Sequence, residues 1–386
     1  MGLQSNGPIS LNDVAGEFGG STPHSLNEYY GAANGVPTSG AISLADFYGK
    51  SAIPFQGWIT YTDYQVYPNE KWVIRYGPWT SIAAGGGVHV AINYGSGQYM
   101  YSTDPAAGAG PNTWTLNYLP GGLEYYEDIT YGNGRFVVVG GWGNRAYISA
   151  ISTDGINWTI TTQKSSSLRK VMYAAGKFYA VSESSTDLSR FVRSDDGLTW
   201  TATNSNAVTN NGDSQWTLMA HGEGRFVAIN SRTNNTAYSD DGYYWYNGAT
   251  TLPNAQWKSI AYGDGKFVAI GMGNWGSPDK IAYSYDGMTW YTKQGPTQDP
   301  NDVFKQIGTR WDAMAYGRDK FIVISGADHG QAMYSSDGLN WTVAPPIHTA
   351  DYSLQHIVFD GEKFVAVGSE DSADEHVAVS YTGIPL

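Results

Sequence analysis

The stretch "IAYGDGKFVAIG" at residues 260–271, followed by "SYDGMTWY" at 284–291, decides the fold. In the first phrase apolar residues alternate on both sides of an Asp-Gly pair. Period-two alternation reads as strand and Asp-Gly supplies the positive φ of a tight hairpin, so the phrase predicts strand, turn, strand. In the second phrase the Asp carboxylate is placed to accept turn N–H groups, Gly takes a left-handed position, and Trp packs on the neighbouring strand. A second hairpin is the expectation.

Both phrases recur. The first appears as "ITYGNGRFVVVGG", "MYAAGKFYAVS", "MAHGEGRFVAIN", "MAYGRDKFIVIS" and "IVFDGEKFVAVG", centred on Phe136, Phe178, Phe226, Phe321 and Phe364 alongside Phe267. "IAAGGGVHVAIN" around Val88 is a diverged copy. The second follows each of five Phe residues at 15 to 19 residues, around Asp154, Asp196, Asp241, Asp286 and Asp337, with Trp158, Trp200, Trp245, Trp290 and Trp341 closing it. Two departures frame the series. Ser102 and Asp104 are separated from Trp114 by a Pro/Gly/Ala insertion, and the terminal "SYTGIPL" keeps Ser380 and Gly383 but has Thr382 in place of Asp.

Ser-x-Asp-Gly-x-x-Trp in this register resembles the Asp box of sialidases and related β-propellers. The resemblance implies an all-β fold: a seven-bladed β-propeller of four-stranded blades, with a short, mostly helical or irregular N-terminal extension. The expected blades span about 75–118, 124–162, 167–204, 215–249, 256–293, 310–344 and 353–386. The truncated last copy is expected to borrow its outer strand from 57–67, which would leave no free edge for aggregation.

Composition excludes several functions. The chain of 386 residues carries 22 Lys+Arg against 35 Asp+Glu, a formal charge of -13, which argues against nucleic acid and anionic membranes as partners. Cysteine is absent, removing disulfides, thiolate zinc sites and cysteine nucleophiles. The N-terminus lacks the layout of a secretory signal, and no apolar run approaches the ~20 residues of a membrane span. The 48 Gly, 29 Tyr and 14 Trp suit short strands, tight turns and aromatic packing between sheets.

In such blades both phrases turn on one face. The distance from each Asp-box Trp to the next Phe varies from 20 to 31 residues, so length variation collects on the opposite face, where recognition is expected. Candidate ligand contacts there are Trp142, Arg145, Arg232, Trp275, Asp328, His329, His348 and Tyr352, because aromatics and guanidinium forks suit saccharide or protein ligands.

The sialidase likeness does not extend to chemistry. It implies that Asp154, Asp196, Asp241, Asp286 and Asp337 are structural. The family's three carboxylate-binding arginines and its Arg-Ile-Pro phrase are not recognisable, "IRYGPW" around Arg75 being the nearest string. Arg135 and Arg225 share a repeat position with Lys177, Lys266, Lys320 and Lys363 and read as turn-flanking surface charges. No catalytic residue, enzyme activity or cofactor is expected. The weak metal candidate is a Ca²⁺ site at Glu370, Asp371 and Asp374, against the reading of a solvated acidic loop.

Residues 1–50 follow another grammar, "ISLNDVAGEFGG", "HSLNEYYG" and "ISLADFYG". Ser10 with Asp13, Ser25 with Glu28 and Ser43 with Asp46 have capping-box spacing, predicting three short helices that bury little by themselves and so dock onto something else. This segment resembles the N-terminal module of tailed-bacteriophage virion proteins. The resemblance implies a phage structural protein located on the virion exterior: a tail fibre, baseplate or tail-tip component. Its expected partners are other virion proteins through residues 1–50 and a host-surface glycan or protein, with several copies in the assembly. The alternatives are a sialidase-like glycoside hydrolase, a capsid-decorating or purely structural virion protein, and a secreted bacterial adhesin.

Overall fold

The computed structural model describes residues 14, 58–62, 79–103, 114–120, 125–141, 147–163, 167–182, 190–208, 216–272, 280–293, 311–325, 332–344, 352–370 and 375–380. Of residues 1–57 only Val14 is among them, helical and buried, so the three expected N-terminal helices lie outside the described residues.

The fold is an all-β propeller. The described strands pair into seven sheets, six of four strands and one of five. Their innermost strands are Trp79–Gly85, Tyr126–Gly132, Leu168–Ala174, Trp216–Gly222, Gln256–Gly263, Trp311–Gly317 and Tyr352–Phe359, and the sheets are numbered 1 to 7 in that order. Each innermost strand touches the next, and Tyr352–Phe359 touches Trp79–Gly85, closing a ring.

The core is divided among the junctions: each cluster of buried apolar side chains spans two adjacent sheets. Phe136, Phe178, Phe226, Phe267, Phe321 and Phe364 are at most 2% exposed, each on a second strand covered from both sides. The diverged copy puts His89 at this position. Its Nε2 lies 2.8 Å from Oδ2 of Asp360, which belongs to the turn of sheet 7, so a hydrogen-bonding contact joins the first and last sheets.

The inner hairpins turn as their sequence dictates. Asn133-Gly134, Glu223-Gly224 and Asp264-Gly265 all have positive φ, the two-residue geometry whose twist matches that of the flanking strands. Just before these turns the sheets interlock. A Cβ on Gly132, Gly222, Gly263 or Gly317 would lie 2.0–2.2 Å from the ring of Tyr173, Tyr262, Tyr316 or Phe359 on the next sheet. Glycine is required there because the neighbouring ring occupies the space of a side chain.

Sheet 7 is completed from the other end of the chain. Trp58–Thr62 runs antiparallel to Glu375–Ser380, pairing Trp58 with Ser380 and Thr62 with His376. Residues 63–67 of the expected closing strand lie outside the described residues, as do Thr382, Gly383 and Asp104.

Two expectations are corrected. Asn204, the last residue assigned to the third blade, and the following Ser205–Ala207, expected between blades, join the fourth: Asn204–Ala207 pairs in parallel with Tyr244–Asn247, the Asn204 N–H donating to the Tyr243 carbonyl at 2.8 Å. The outer strand of sheet 4 otherwise presents unpaired backbone groups, and the long connection between Trp200 and Phe226 has the slack to cover them. Apart from Lys177, which ion-pairs with the exposed Asp195, the basic residue before each Phe is also no plain surface charge. Lys266, Lys320 and Lys363 are buried at 5–8% exposure, while Arg135 and Arg225 donate to the Asp196 and Asp286 carbonyls in the next sheet's Asp box. The two arginines run their aliphatic stems under the adjoining sheet to reach those carbonyls, whereas Lys266 and Lys363 ion-pair with Asp264 and Asp360 of their own turns.

Candidate functional site

The five Asp boxes share one geometry. Asp154 Oδ1 accepts the backbone N–H groups of Ile156 and Asn157 at 2.9 and 2.7 Å and the Ser152 hydroxyl at 2.9 Å. Asp196 is held in the same way by Leu198, Thr199 and Ser194, Asp241 by Tyr243, Tyr244 and Ser239, Asp286 by Met288, Thr289 and Ser284, and Asp337 by Leu339, Asn340 and Ser335. The Asn157 backbone and side-chain donors hold Asp154 far below the ordinary carboxylate range. For the other four, burial pushes the pKa up, but the N–H and hydroxyl donors outweigh it and the net shift is downward. These carboxylates are ionised turn caps rather than poised proton donors.

The Asp-box tryptophans join sheets. Trp158 packs edge-on against Tyr99, Trp200 Nε1 donates to Ser149 Oγ at 3.2 Å, and Trp245 stacks on Phe191 with centroids 3.9 Å apart. Each partner belongs to the preceding sheet. Trp245, Trp290 and Trp341 are buried, whereas Trp158 and Trp200 are half-buried.

Within each sheet successive strands are antiparallel, so inner hairpins and Asp boxes share one face, and the second-to-third connections share the other with the starts of the innermost strands. Arg232 is exposed on that second face, in the connection Ser231–Asn235, where Asn230 Oδ1 accepts the Arg232 and Thr233 N–H groups at 3.1 and 3.0 Å. The backbone of Tyr352 starts the innermost strand of sheet 7 and pairs with Glu370, so two residues from different candidate groups are neighbours in register. Trp142, Arg145, Trp275, Asp328, His329, His348, Asp371 and Asp374 lie outside the described residues. Among the described residues, no cluster of three or more His, Asp or Glu is placed to hold a metal.

On this second face the structure assembles a polar site from residues that lie just before the repeat phrases. Every innermost strand has a bulge at one register, between Trp79 and Ser81, Tyr126 and Asp128, Leu168 and Lys170, Trp216 and Leu218, Trp257 and Ser259, Trp311 and Ala313, and Leu354 and His356. The residue before each bulge is almost completely buried, at most 2% exposed. The bulged residues are Thr80, Glu127, Arg169, Thr217, Lys258, Asp312 and Gln355, all hydrophilic and all half-exposed. A bulge leaves a residue outside the ladder and re-aims its side chain, here at a common level around the ring.

Directly inside the bulges lies a hydrogen-bonded chain. Asp128, 2% exposed, accepts from Ser81 Oγ at 2.6 Å, Lys170 Nζ at 3.1 Å and the Val171 N–H at 2.8 Å. The Lys170 ammonium also lies 3.2 Å from His356 Nε2. The Ile82 N–H is directed at the other ring nitrogen, Nδ1, at 3.4 Å, and a neutral imidazole accepts at one of the two nitrogens and donates from the other. Lys170 is on sheet 3 and His356 on sheet 7, which are not neighbours, so the pair bridges the ring across its axis. Burial, reinforced by the Lys170 charge, pushes the His356 pKa down to about 3, and the ring is neutral at physiological pH. One level out, Arg169 is ion-paired with Glu127.

The sequence held a signal for these positions. Each bulged residue lies nine residues before the phrase's Phe, or before His89 in the diverged copy, and an apolar, mostly aromatic residue lies ten before. Polarity at that offset against an otherwise apolar strand marks the site.

No protein-family model matches the chain, and no curated protein matches it. Solved structures share the fold. YCF48 bound to D1 peptide superposes with a TM-score of 0.60 at 15% identity, covering 86% of this chain and 97% of that one. A catalytically inactive virginiamycin B lyase from Staphylococcus aureus with quinupristin gives 0.61 at 13% identity, covering 79% and 95%. A streptogramin B lyase gives 0.60 at 13% identity, covering 84% and 99%. At these identities the likeness concerns the β-propeller fold alone.

Proposed function

We propose that this chain is a non-enzymatic recognition protein on the exterior of a tailed-phage particle, attached through residues 1–50, whose propeller presents the face opposite the Asp boxes to a host-surface glycan. The observation that carries the non-enzymatic part is the Asp-box geometry: five regularly placed carboxylates are each spent on two backbone N–H groups and a serine hydroxyl. They brace one face and leave the other to vary. The capping-box phrases at Ser10, Ser25 and Ser43, with their resemblance to virion proteins, support attachment to a particle. Many copies binding weakly at once would give firm adhesion without one tight site.

The same scaffold carries a lyase and a peptide-binding protein among its structural neighbours, so fold is no guide to activity. A second reading, an enzyme working at the axis, is favoured by the neutral His356 beside Lys170. Glycan-array binding by the full chain, with antibody labelling of intact particles, tests the first reading. Binding to host-surface glycans and labelling of the tail are expected. Turnover of a bound saccharide that His356→Ala abolishes, or absence of the chain from particles, would overturn it.

A further inference from the structure

We propose that the mouth of the ring on the Arg232 face, encircled by the seven bulged residues and floored by Lys170 and His356, is a binding site for the terminal unit of a neutral, hydroxyl-rich saccharide. This inference rests on the glycan-recognition reading above and places its primary contact at the axis, whereas sequence length variation had pointed to the outer loops.

The chemistry of the ring selects the ligand. Glu127 and Asp312 only accept hydrogen bonds when ionised, Arg169 and Lys258 only donate, Thr217 and Gln355 do both, and Thr80, whose hydroxyl donates to the Ile92 carbonyl at 3.3 Å, can still accept. A sugar hydroxyl donates and accepts at once, so vicinal hydroxyls find complementary partners on such a mixed rim. Charge points the same way. Two carboxylates balance two cations on the rim, and Asp128 balances Lys170 beneath, so the mouth is locally neutral in a chain carrying -13. A strongly anionic or cationic ligand would have no net field to favour it.

The floor is ready to receive a polar group. Lys170 has three N–H donors and its two described partners, Asp128 and His356, take at most one each. Its side chain is 28% exposed where that of Asp128 is 3% exposed, so Lys170 is the member of this pair within reach of a ligand. The contact between Lys170 and His356 joins sheets 3 and 7 one residue inside the bulges and so sets polar groups beneath the rim. The bulges give the rim its rigidity, since all seven bulged residues stand on innermost strands rather than on loops.

The test uses the full chain and a panel of neutral oligosaccharides of glucose, galactose, mannose and N-acetylglucosamine, with sialylated oligosaccharides alongside. Affinity is measured by calorimetry, and the His356 imidazole resonances are followed by NMR. A neutral oligosaccharide is expected to bind and to shift the His356 resonances. Lys258→Ala and Gln355→Ala, both at half-exposed rim positions, are expected to weaken it on the order of tenfold each, while Tyr285→Ala, exposed on the opposite Asp-box face, leaves affinity within about twofold. Thermal melting of each variant separates loss of a contact from loss of the fold. Binding that leaves His356 and both rim variants unaffected overturns the axial site while glycan recognition stands. Binding confined to sialylated ligands overturns the neutral-ligand assignment. Failure of every saccharide to bind overturns the site and the adhesion reading together.

Discussion

Replacing Gly222 with Ala probes how the sheets are locked together. The new Cβ would lie 2.0 Å from Tyr262 Cγ on the next sheet, against about 3.5 Å for an ordinary carbon–carbon contact, an overlap of roughly 1.5 Å. The atom it meets is the root of an aromatic ring packed in the junction of sheets 4 and 5, so relief requires the sheets to move apart. Overpacking of this kind costs about 1–3 kcal/mol, and backbone-anchored overlap places it near the upper end. With an unfolding entropy of ~2.1 cal/mol/K per residue, a chain of 386 residues has ~0.8 kcal/mol/K, so 3 kcal/mol lowers Tm by about 4 °C. The molecule contains its own control, because sheet 3 has Ala174 at the register of Gly222, and sheet 4 has His221 at the register of Tyr262. Gly222→Ala combined with Tyr262→His should therefore be less destabilised than the sum of the single variants, by about 1 kcal/mol or more in a double-mutant cycle. Scanning calorimetry and urea titration measure both quantities. A single variant melting within about 1 °C of the parent, or additive single effects, would refute the interlock.

Three further outcomes are expected. Asp241→Ala strips the acceptor from the Tyr243 and Tyr244 N–H groups and should cost about 1–3 kcal/mol in chemical denaturation without altering ligand binding; equal loss of binding at unchanged stability would argue for a functional carboxylate. Stability should fall in two limbs on acidification. Folded His356 and His221 resist protons that the unfolded chain accepts below about pH 6.5, so stability declines from there, and more steeply below about pH 4, where the unfolded Asp-box carboxylates bind protons that their folded counterparts refuse. His356→Gln should flatten the first limb alone, and an unchanged limb would show that His356 is not held neutral. Lys170→Gln should raise the His356 pKa in an NMR titration, since a neighbouring cation is lost; a value that stays put assigns the depression to burial alone.

Much of the scaffold was written in single hairpins. Alternation around Asp264-Gly265 and its relatives specified paired strands, and Ser-x-Asp-Gly specified a turn whose N–H groups a carboxylate would cap, because such interactions lie within a few residues of chain. The same local reading mistook Arg225 and Lys266 for surface charges. Arg225 reaches a carbonyl of the adjoining sheet, which nothing in its own hairpin announces, and Lys266 is buried with its ion-pair partner Asp264 in its own turn. The crossing of Asn204–Ala207 onto the fourth sheet was hidden for the same reason: its partner edge, Tyr244–Asn247, comes forty residues later.

The axial site shows where the division falls. The sequence by itself determined which residues stand at each repeat register, including hydrophilic residues nine before each Phe and Gly before five of the seven inner turns. Only the closed ring decided that Lys170 and His356, 186 residues apart, share a hydrogen bond, and that glycines of one sheet receive the rings of the next. Periodicity fixes a residue's place within its own repeat, because side-chain direction follows from strand geometry. Which repeats face one another across the axis depends on how many sheets complete the circle, a property of packing between sheets that no single repeat contains.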